Sequence, residues 1–421
     1  VKSELMRNFR SILDVDSALA LDAPWRPMRI AVVGGRGVPS TYSGVETICE
    51  NLFAEFVKLG HHVTVYCRKQ VLSDKLGEHK GIKLVRTSSI NGKLETPSHT
   101  IASCWHAVRN GDVHDNGKPF DLFSFHAIPP NVAQFIPARA NIPTISHIHG
   151  LDHQREKWKG LGAKIICKAE REMIKHAAQL VTVNRSIVDY YRTNFDRDCA
   201  LLPNGIHPVT DDFTPDRATL EQFKLEEKKF LVTISRLVPE KRHNDVINAF
   251  LKLNHDMKLV IVGEGNNSSD YVESLKKLAG NNDKIIFTGL QKGAALQTLF
   301  RCARLYVSAS ELEGLPSSLL ECMDRNVCAV VSDIPPHREL MERVAGYDLL
   351  FPVGEVDALR RSLERALLSP EHAARFASGA RQLVRSQYTW PVLARATEKL
   401  YLKVLHDRSS RNVERLETQH A

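Results

Sequence analysis

At 421 residues the chain is longer than one ordinary hydrophobic core supports, so two domains are expected. Hydrophobic residues at 43% and charged residues at 25% match a globular protein in water and exclude a disordered or membrane-embedded chain. The formal charge of +8 suits an anionic ligand or an anionic membrane surface. Nucleic acid is not expected as a partner, because there is no RNA- or DNA-binding signature, no aromatic–basic interleaving and no concentrated arginine run.

No run approaches the length of a membrane-spanning helix, and no charged-then-apolar signal segment opens the chain, so a cytoplasmic protein is expected. The eight cysteines are scattered without a CxxC pair and several lie in apolar runs, as reduced core thiols would. Residues 1–27 form a mixed, polar extension. Val/Ile-rich runs then alternate with helical patterns, the signature of parallel sheets covered on both faces. Strands are expected at 28–33, 62–66, 120–124, 143–147, 179–183 and 200–202. A Pro/Gly/Asp-rich linker follows over 204–215. A second start gives strands at 230–234, 258–262, 284–287, 304–308 and 327–331. The pattern divides the chain into domains over 28–208 and 209–386, a helix over 387–405 that packs back toward the first domain, and a frayed tail over 406–421.

Chemistry-bearing residues gather at the carboxyl ends of these strands, where ligands of open α/β sheets bind. In the first half, Gly34-Gly35-Arg36-Gly37-Val38-Pro39 leaves the first strand and Tyr42-Ser43-Gly44-Val45-Glu46 opens the next helix. Ser40 leaves the dinucleotide pattern GxGxxG incomplete. Two readings stand: a lip lying against a phosphate or sugar, and a plain structural turn. His126 and His149 end successive strands, each either a ligand contact or a structural hydrogen-bonder. With His147 and His153 nearby a metal site is one reading, but no carboxylate or cysteine completes a ligand spacing, so no metal is expected. The Asp14-Val15-Asp16 and Asp196-Arg197-Asp198 triplets lie away from the ligand-facing edge and read as surface turns.

In the second half, Ser235-Arg236-Leu237-Val238-Pro239-Glu240-Lys241 follows a strand. Arg236 and Lys241 either clamp a diphosphate from two directions or are solvated cations. Gly263 and Gly265 let a ligand approach backbone or simply make a turn, and Gly289 and Leu290 end a strand where a nucleobase can meet main-chain groups. The most informative stretch is Glu313-Gly314-Leu315-Pro316-Ser317-Ser318-Leu319-Leu320-Glu321. Glu313 falls in a loop and Glu321 about two turns into the following helix, so the two carboxylates can grip hydroxyls of a sugar and of a ribose. The free N–H groups of the helix start lie between them.

Together these motifs resemble the family-4 retaining glycosyltransferases of the GT-B fold over roughly 28–405, carried chiefly by the Glu313–Glu321 element and the Arg236/Lys241 pair. The first half, with Gly-Arg-Gly-Val-Pro, Ser-Gly-Val-Glu and the run 149–158, resembles a bacterial subgroup associated with cell-surface polysaccharides. Ser43 stands where that subgroup usually has glycine.

The resemblance implies an α/β GT-B architecture of two facing Rossmann-like, doubly wound domains with an interdomain cleft. It implies metal-independent transfer from a nucleoside-diphosphate sugar, with retention, to a glycan or polyprenyl-linked acceptor. No cofactor is implied. Arg236 and Lys241 would neutralise the departing diphosphate, with Gly35 and Gly37 lining the phosphate and acceptor side. Glu313 would hold the sugar hydroxyls beside backbone from Gly314, Leu315 and Pro316. Glu321 would bind the ribose, and His149 would contact the donor sugar. Gly263, Gly289 and Leu290 fall in the base region.

No carboxylate is an obvious nucleophile for a double displacement, and the family is generally thought to use a front-side mechanism. The basic stretch 155–175, with Trp158, Leu161, Ile165 and Ile166, either faces a membrane and brings a peripheral enzyme to the inner face of the cytoplasmic membrane, or turns its apolar face to the core. A GT-B sugar-nucleotide epimerase, a phosphorylase and a non-catalytic nucleotide-sugar-binding protein are the alternatives.

Overall fold

A computed structural model of the chain describes residues 26–40, 44–73, 76–150, 161–265 and 269–420, with backbone only at 93, 161 and 411–420. Two units emerge: one runs up to Gly205 and resumes at Trp390, and the other is Ile206–Thr389. The sequence boundaries of 208/209 and 386/387 lie within three residues of these junctions.

The first unit is built on eight strands: β1 (Arg29–Val33), β2 (His62–Arg68), β3 (Glu78–His79), β4 (Ile82–Thr87), β5 (Leu122–His126), β6 (Thr144–Ile148), β7 (Gln179–Thr182) and β8 (Cys199–Leu201). Their order is β3-β4-β2-β1-β5-β6-β7-β8, and only the β3–β4 pair is antiparallel. The chain winds one way from β1 to β2 and β4, then returns to the other side with β5. Beside β1 the strand order reverses, and the β1 and β5 loops therefore border a crevice.

Both faces of β1 are covered. Ile30 and Val32 pack with Phe53, Phe56 and Tyr401, while Ala31 and Val33 pack with Cys104, Phe123 and Phe125. This two-sided burial explains why the run is continuously apolar rather than alternating. β4 was not anticipated because Lys83 and Arg86 interrupt its apolar run, both half-buried near the sheet edge.

The last helix, Trp390–His420, packs on Gly44–Lys58, with Trp390, Ala394, Tyr401 and Val404 in the core. The frayed tail expected from 406 onward is instead helical to His420. That stretch holds no Gly or Pro to stop it, and the Ser409 and Ser410 hydroxyls donate back to the Leu405 and His406 carbonyls.

The second unit has six strands, all parallel: β9 (Phe230–Ile234), β10 (Lys258–Val262), β11 (Ile285–Gly289), β12 (Leu305–Ser308), β13 (Cys328–Ser332) and β14 (Leu350–Phe351). The order β11-β10-β9-β12-β13-β14 reverses between β9 and β12. This puts the loop carrying Arg236 and Lys241 next to the loop carrying Glu313, although some seventy positions separate them in the chain. The expected linker is not free. Ile206 N donates to Tyr388 O at 2.8 Å, and Val209 N donates to the Asp324 carboxylate at 2.7 Å while its carbonyl accepts from Arg385.

Candidate active site

Backbone hydrogen bonds stitch together the loops at the carboxyl ends of β9, β10 and β11. Ser235 N donates to Val262 O (3.1 Å), Leu237 N to Glu264 O (2.9 Å) and Gly263 N to Gly289 O (3.0 Å). Gly263 sits at φ +143°, and a Cβ there would lie 1.9 Å from Ser235 O, so the fold itself demands glycine. Gly289, at φ +69°, turns the chain at the end of β11, and Leu290 beside it is exposed.

Lys241 closes the short 3-10 turn Pro239–Lys241, and its Nζ lies 2.5 Å from Glu313 Oε1. The two side chains are only 11% and 15% exposed. Arg242, held at φ +48°, bonds Asp245 (2.6 Å) and Glu311 (3.2 Å), while Glu311 N donates to Glu240 O. These bonds zip the β9 loop to the β12 loop on either side of the Lys241–Glu313 pair. Burial works to raise the Glu313 carboxyl. The Lys241 ammonium, His337, and hydrogen bonds from Lys241 and Ser310 outweigh it and hold the carboxyl below its ordinary value. Arg236 differs: its side chain is 73% exposed and lies 3.8 Å from Glu240. Of the two cations, Lys241 is thus fixed and Arg236 solvated.

Glu321 is the fifth residue of the helix Ser317–Asp324, little more than one turn in rather than the two turns expected. The helix starts at Ser317 because Pro316 cannot donate a backbone hydrogen bond and suits a helix entrance. Burial raises the Glu321 carboxyl, partly offset by Arg325 at 3.4 Å and reinforced by Asp324. Gly314, Leu315 and Pro316 form the turn between the two glutamates, with Leu315 packed against the unit's core.

In the first unit the Gly34–Pro39 loop is held by two carboxylates one turn apart on the following helix. Arg36 N donates to Glu46 (3.2 Å) and Ser40 N to Glu50 (2.7 Å). Burial would raise Glu50, but Lys80, the Ser40 N–H and His79 overcome it and bring the carboxyl down to about 2. Gly37, at φ +145°, would put a Cβ 2.9 Å from that of Cys67, whereas a Cβ on Gly35 would make only ordinary contacts, with Glu46 Cγ at 3.6 Å and Gly37 N at 3.8 Å. Gly37 is therefore required by the fold and Gly35 is not.

His149 follows β6 directly and is half-buried, its Nε2 3.2 Å from His126 Nδ1. Of the two readings of His126, burial favours the structural hydrogen-bonder: it is fully buried, because it ends a central strand beneath Phe53 and between stacked rings. From His126 a hydrogen-bond chain runs through Ser124 Oγ (3.0 Å) and Tyr401 OH (2.8 Å) to His147 Nε2 (2.7 Å). Burial, with His149 adding to it, pushes His147 down to about 3, and burial with both neighbouring histidines pushes His126 well below its ordinary value. Both rings are neutral at pH 7, each with one N–H and one lone pair. Tyr401→Phe removes a hydroxyl that serves two buried partners, so it is expected to cost about 1–3 kcal/mol in urea unfolding.

Among the described residues no group of three or more His, Cys, Asp or Glu side chains is arranged to hold a metal ion. Asp196 caps a helix in the left-handed conformation and Asp198 pairs with Arg192 at the surface, as turns do. Ser43, His153, Arg155, Trp158 and the Asp14–Asp16 triplet lie outside the described residues. In the helix Leu161–His176, Ile166, Ala169 and Met173 are fully buried, so that apolar face belongs to the core.

Residues that reading the sequence missed are Glu50, Arg242, Ser310, Glu311, Ser332, His337 and Tyr401. Only the Glu46/Glu50 spacing at a helix start carried a readable signal.

Residues 42–209 match the family described as Glycosyltransferase Family 4, and residues 216–383 match Glycosyl transferases group 1. The chain is 24% identical over 245 residues to a glycosyltransferase of Methanocaldococcus jannaschii, covering 56% of this chain and 60% of that protein. It is 29% identical over 210 residues to the GDP-mannose-dependent alpha-(1-6)-phosphatidylinositol monomannoside mannosyltransferase of Mycobacterium tuberculosis, covering 46% and 53%. The chain thus spans 53–60% of the length of these curated relatives. The structure of Anabaena HepE in complex with UDP and glucose shares the fold, with a TM-score of 0.71 at 16% identity over 89% of this chain and 100% of that one. The two family matches fall on the two doubly wound units in turn, and the chain belongs to the family-4 glycosyltransferases of the GT-B fold.

Proposed function

We propose that the protein transfers a sugar from a nucleoside-diphosphate sugar to a glycan or polyprenyl-linked acceptor in cell-surface polysaccharide or glycolipid synthesis, with retention and without a metal. The observation that carries this reading is the Lys241–Glu313 pair at the β9/β12 switch point, with Arg236 on the same loop. The pair neutralises itself while the site is free of ligand. An entering diphosphate recruits Lys241 and the exposed Arg236, and Glu313 is left to accept hydrogen bonds from sugar hydroxyls. As the bond to the anomeric carbon breaks, charge grows on the diphosphate and the two cations stabilise it where a divalent ion would otherwise serve.

We assign Glu321 to the ribose and the backbone of Gly314, Leu315 and Pro316 to the sugar. Gly263, Gly289 and Leu290 go to the base region. In the first unit, His149 goes to the donor sugar, and Gly35 and Gly37 to the phosphate and acceptor side. The UDP and glucose held by HepE and the GDP-mannose named for the mycobacterial relative support a nucleoside-diphosphate sugar as donor.

A cytoplasmic location with peripheral attachment to an anionic membrane surface is part of the proposal. Lys164, Lys168, Arg171 and Lys175 are exposed at helical spacings of four, three and four, a basic stripe that suits such a surface. Among the described residues no helix is long and apolar enough to cross a membrane.

The reading is tested by incubating the protein with a panel of nucleotide sugars in EDTA, with and without lipid-linked acceptors, and following the anomeric signals by NMR. Product with the donor's anomeric configuration is expected. Conversion of the donor to another nucleotide sugar without acceptor would favour the epimerase, and an untouched panel would overturn transfer.

A further inference from the structure

Behind Glu313 lies a directed hydrogen-bond chain that the proposed chemistry leaves unused. Ser310 Oγ donates to Glu313 Oε1 at 2.8 Å, and a carboxylate can only accept there. Ser308 Oγ, 3.2 Å from Ser310 Oγ, must therefore be the donor in that contact. The Ser310 carbonyl accepts from Ser332 Oγ at 2.5 Å, at the end of the neighbouring strand β13. Because that hydroxyl hydrogen is committed, His337 Nδ1 carries its own hydrogen and gives it to the Ser332 carbonyl at 2.9 Å. His337 stands on the helix Pro335–Met341 that follows β13. The order of the links is thus fixed: helix to β13, β13 to the end of β12, and the end of β12 to the carboxylate.

The other ring nitrogen makes the residue unusual. His337 is fully buried, and its Nε2 has no hydrogen-bond partner. A buried lone pair without a donor is costly, and a leucine of similar size would avoid it. Among side chains that can donate like Nδ1–H from this position, a neutral imidazole also fills the volume without adding charge.

We propose that His337 is a positioning residue for Glu313, fixing through Ser332 and Ser310 the direction in which the carboxylate meets the donor sugar. This rests on the reading of Glu313 as the sugar contact. It acts at a distance and touches no reacting atom. Its bare Nε2 keeps the ring neutral, so that Lys241 remains the cation opposite Glu313. The charged groups facing the ring are Glu313 from the β12 loop, Lys241 from the β9 loop and Asp333 at the end of β13. Burial holds His337 below the ordinary histidine value, with Lys241 acting the same way and Glu313, Ser332 and Asp333 opposing. The ring is therefore neutral at pH 7 and charges only in acid, where a second cation would compete with Lys241 for Glu313.

Two variants separate positioning from packing. His337→Asn places an amide N–H where Nδ1–H stood, and His337→Leu fills similar space with no donor. Without ligand, the Glu313 carboxyl followed by 13C NMR should titrate higher in both variants, since each lacks the His337 charge that forms in acid, and higher still in the Leu variant than in the Asn variant, because only in the former is Ser310 no longer held. In transfer assays the Leu variant should lose about tenfold to a hundredfold in kcat with donor KM little changed, as a misdirected group does. The Asn variant should keep kcat within about threefold and lose the part of the acid limb that His337 contributes. Ser310→Ala should reproduce the Leu result should that protein fold poorly. An unchanged Glu313 titration in His337→Leu or Ser310→Ala, or Asn and Leu variants that behave alike, would overturn the proposal. Absence of transfer in the wild-type protein would instead count against the glycosyltransferase reading and leave the titration result standing.

Discussion

Lys241→Met and Glu313→Leu, made singly, should each nearly abolish sugar transfer and weaken the fold, whereas the double variant should regain stability without regaining activity. The two groups meet at 2.5 Å with little solvent access, so removing one strands the other's charge. Breaking such a pair costs about 3–5 kcal/mol when fully buried, and the residual exposure here places the expected loss near the lower figure. Taking both out removes the stranded charge, and most of the loss should return.

In the proposed reaction each group has its own task at the donor, so catalysis should behave differently. Deleting one preorganised contact to developing charge typically costs about 10²–10³ in kcat, and the double variant lacks both that contact to the diphosphate and the one to the sugar hydroxyls. Urea unfolding of the four proteins measures the coupling, and initial rates with the accepted donor measure transfer.

The pair also has a predicted pH signature. Glu313 titrates below the ordinary carboxylate value of 4.5 in the folded protein. Its contribution is therefore present in full above that value and fades as pH falls through the lower folded value. The stability advantage of wild type over the double variant should shrink only in acid. Constant coupling from pH 7 down to 3 would contradict an ion pair.

Gly263→Ala should cost about 3 kcal/mol or more, among the largest effects of any single methyl in this chain. The added carbon would lie 1.9 Å from a backbone oxygen, at a φ of +143° that side chains rarely adopt. Neither the Ser235 carbonyl nor Gly263 can yield without breaking the bonds that join the β9, β10 and β11 loops. Since Arg236 follows Ser235, diphosphate affinity should fall as well.

Gly35→Ala is the informative contrast. Its Cβ finds ordinary contact space, so stability should change by less than about 1 kcal/mol. A drop in donor affinity there would mark close approach of ligand to backbone. Unchanged affinity would reduce Gly35 to a turn residue. Denaturant melts and donor titrations on both variants decide the matter.

How much of this was legible depended on the range of each interaction. β9 and β10 run where their buried Val/Ile runs place them, Phe230–Ile234 and Lys258–Val262, because a strand covered on both faces writes its own boundaries. The short edge strands β3 and β14, two residues each, leave no such trace. Lys241 and Glu313 were each picked out from local sequence, but their contact is a product of strand order, which places β9 beside β12. His337, Ser332 and Ser310 were invisible for the same reason: their chain crosses from helix to strand to strand by backbone carbonyls that no residue type announces. Tyr401 lies deep in the first unit's core because the last helix packs on Gly44–Lys58, and reading the sequence did not assign it a partner.

Calorimetric titration of UDP and GDP into the protein in EDTA, repeated with Lys241→Met and Arg236→Ala, tests the donor site most directly. Metal-free binding of at least one diphosphate is expected, strongly weakened by Lys241→Met and moderately by Arg236→Ala, whose side chain starts out solvated. Binding that requires a divalent cation, or that is indifferent to Lys241, would contradict the account.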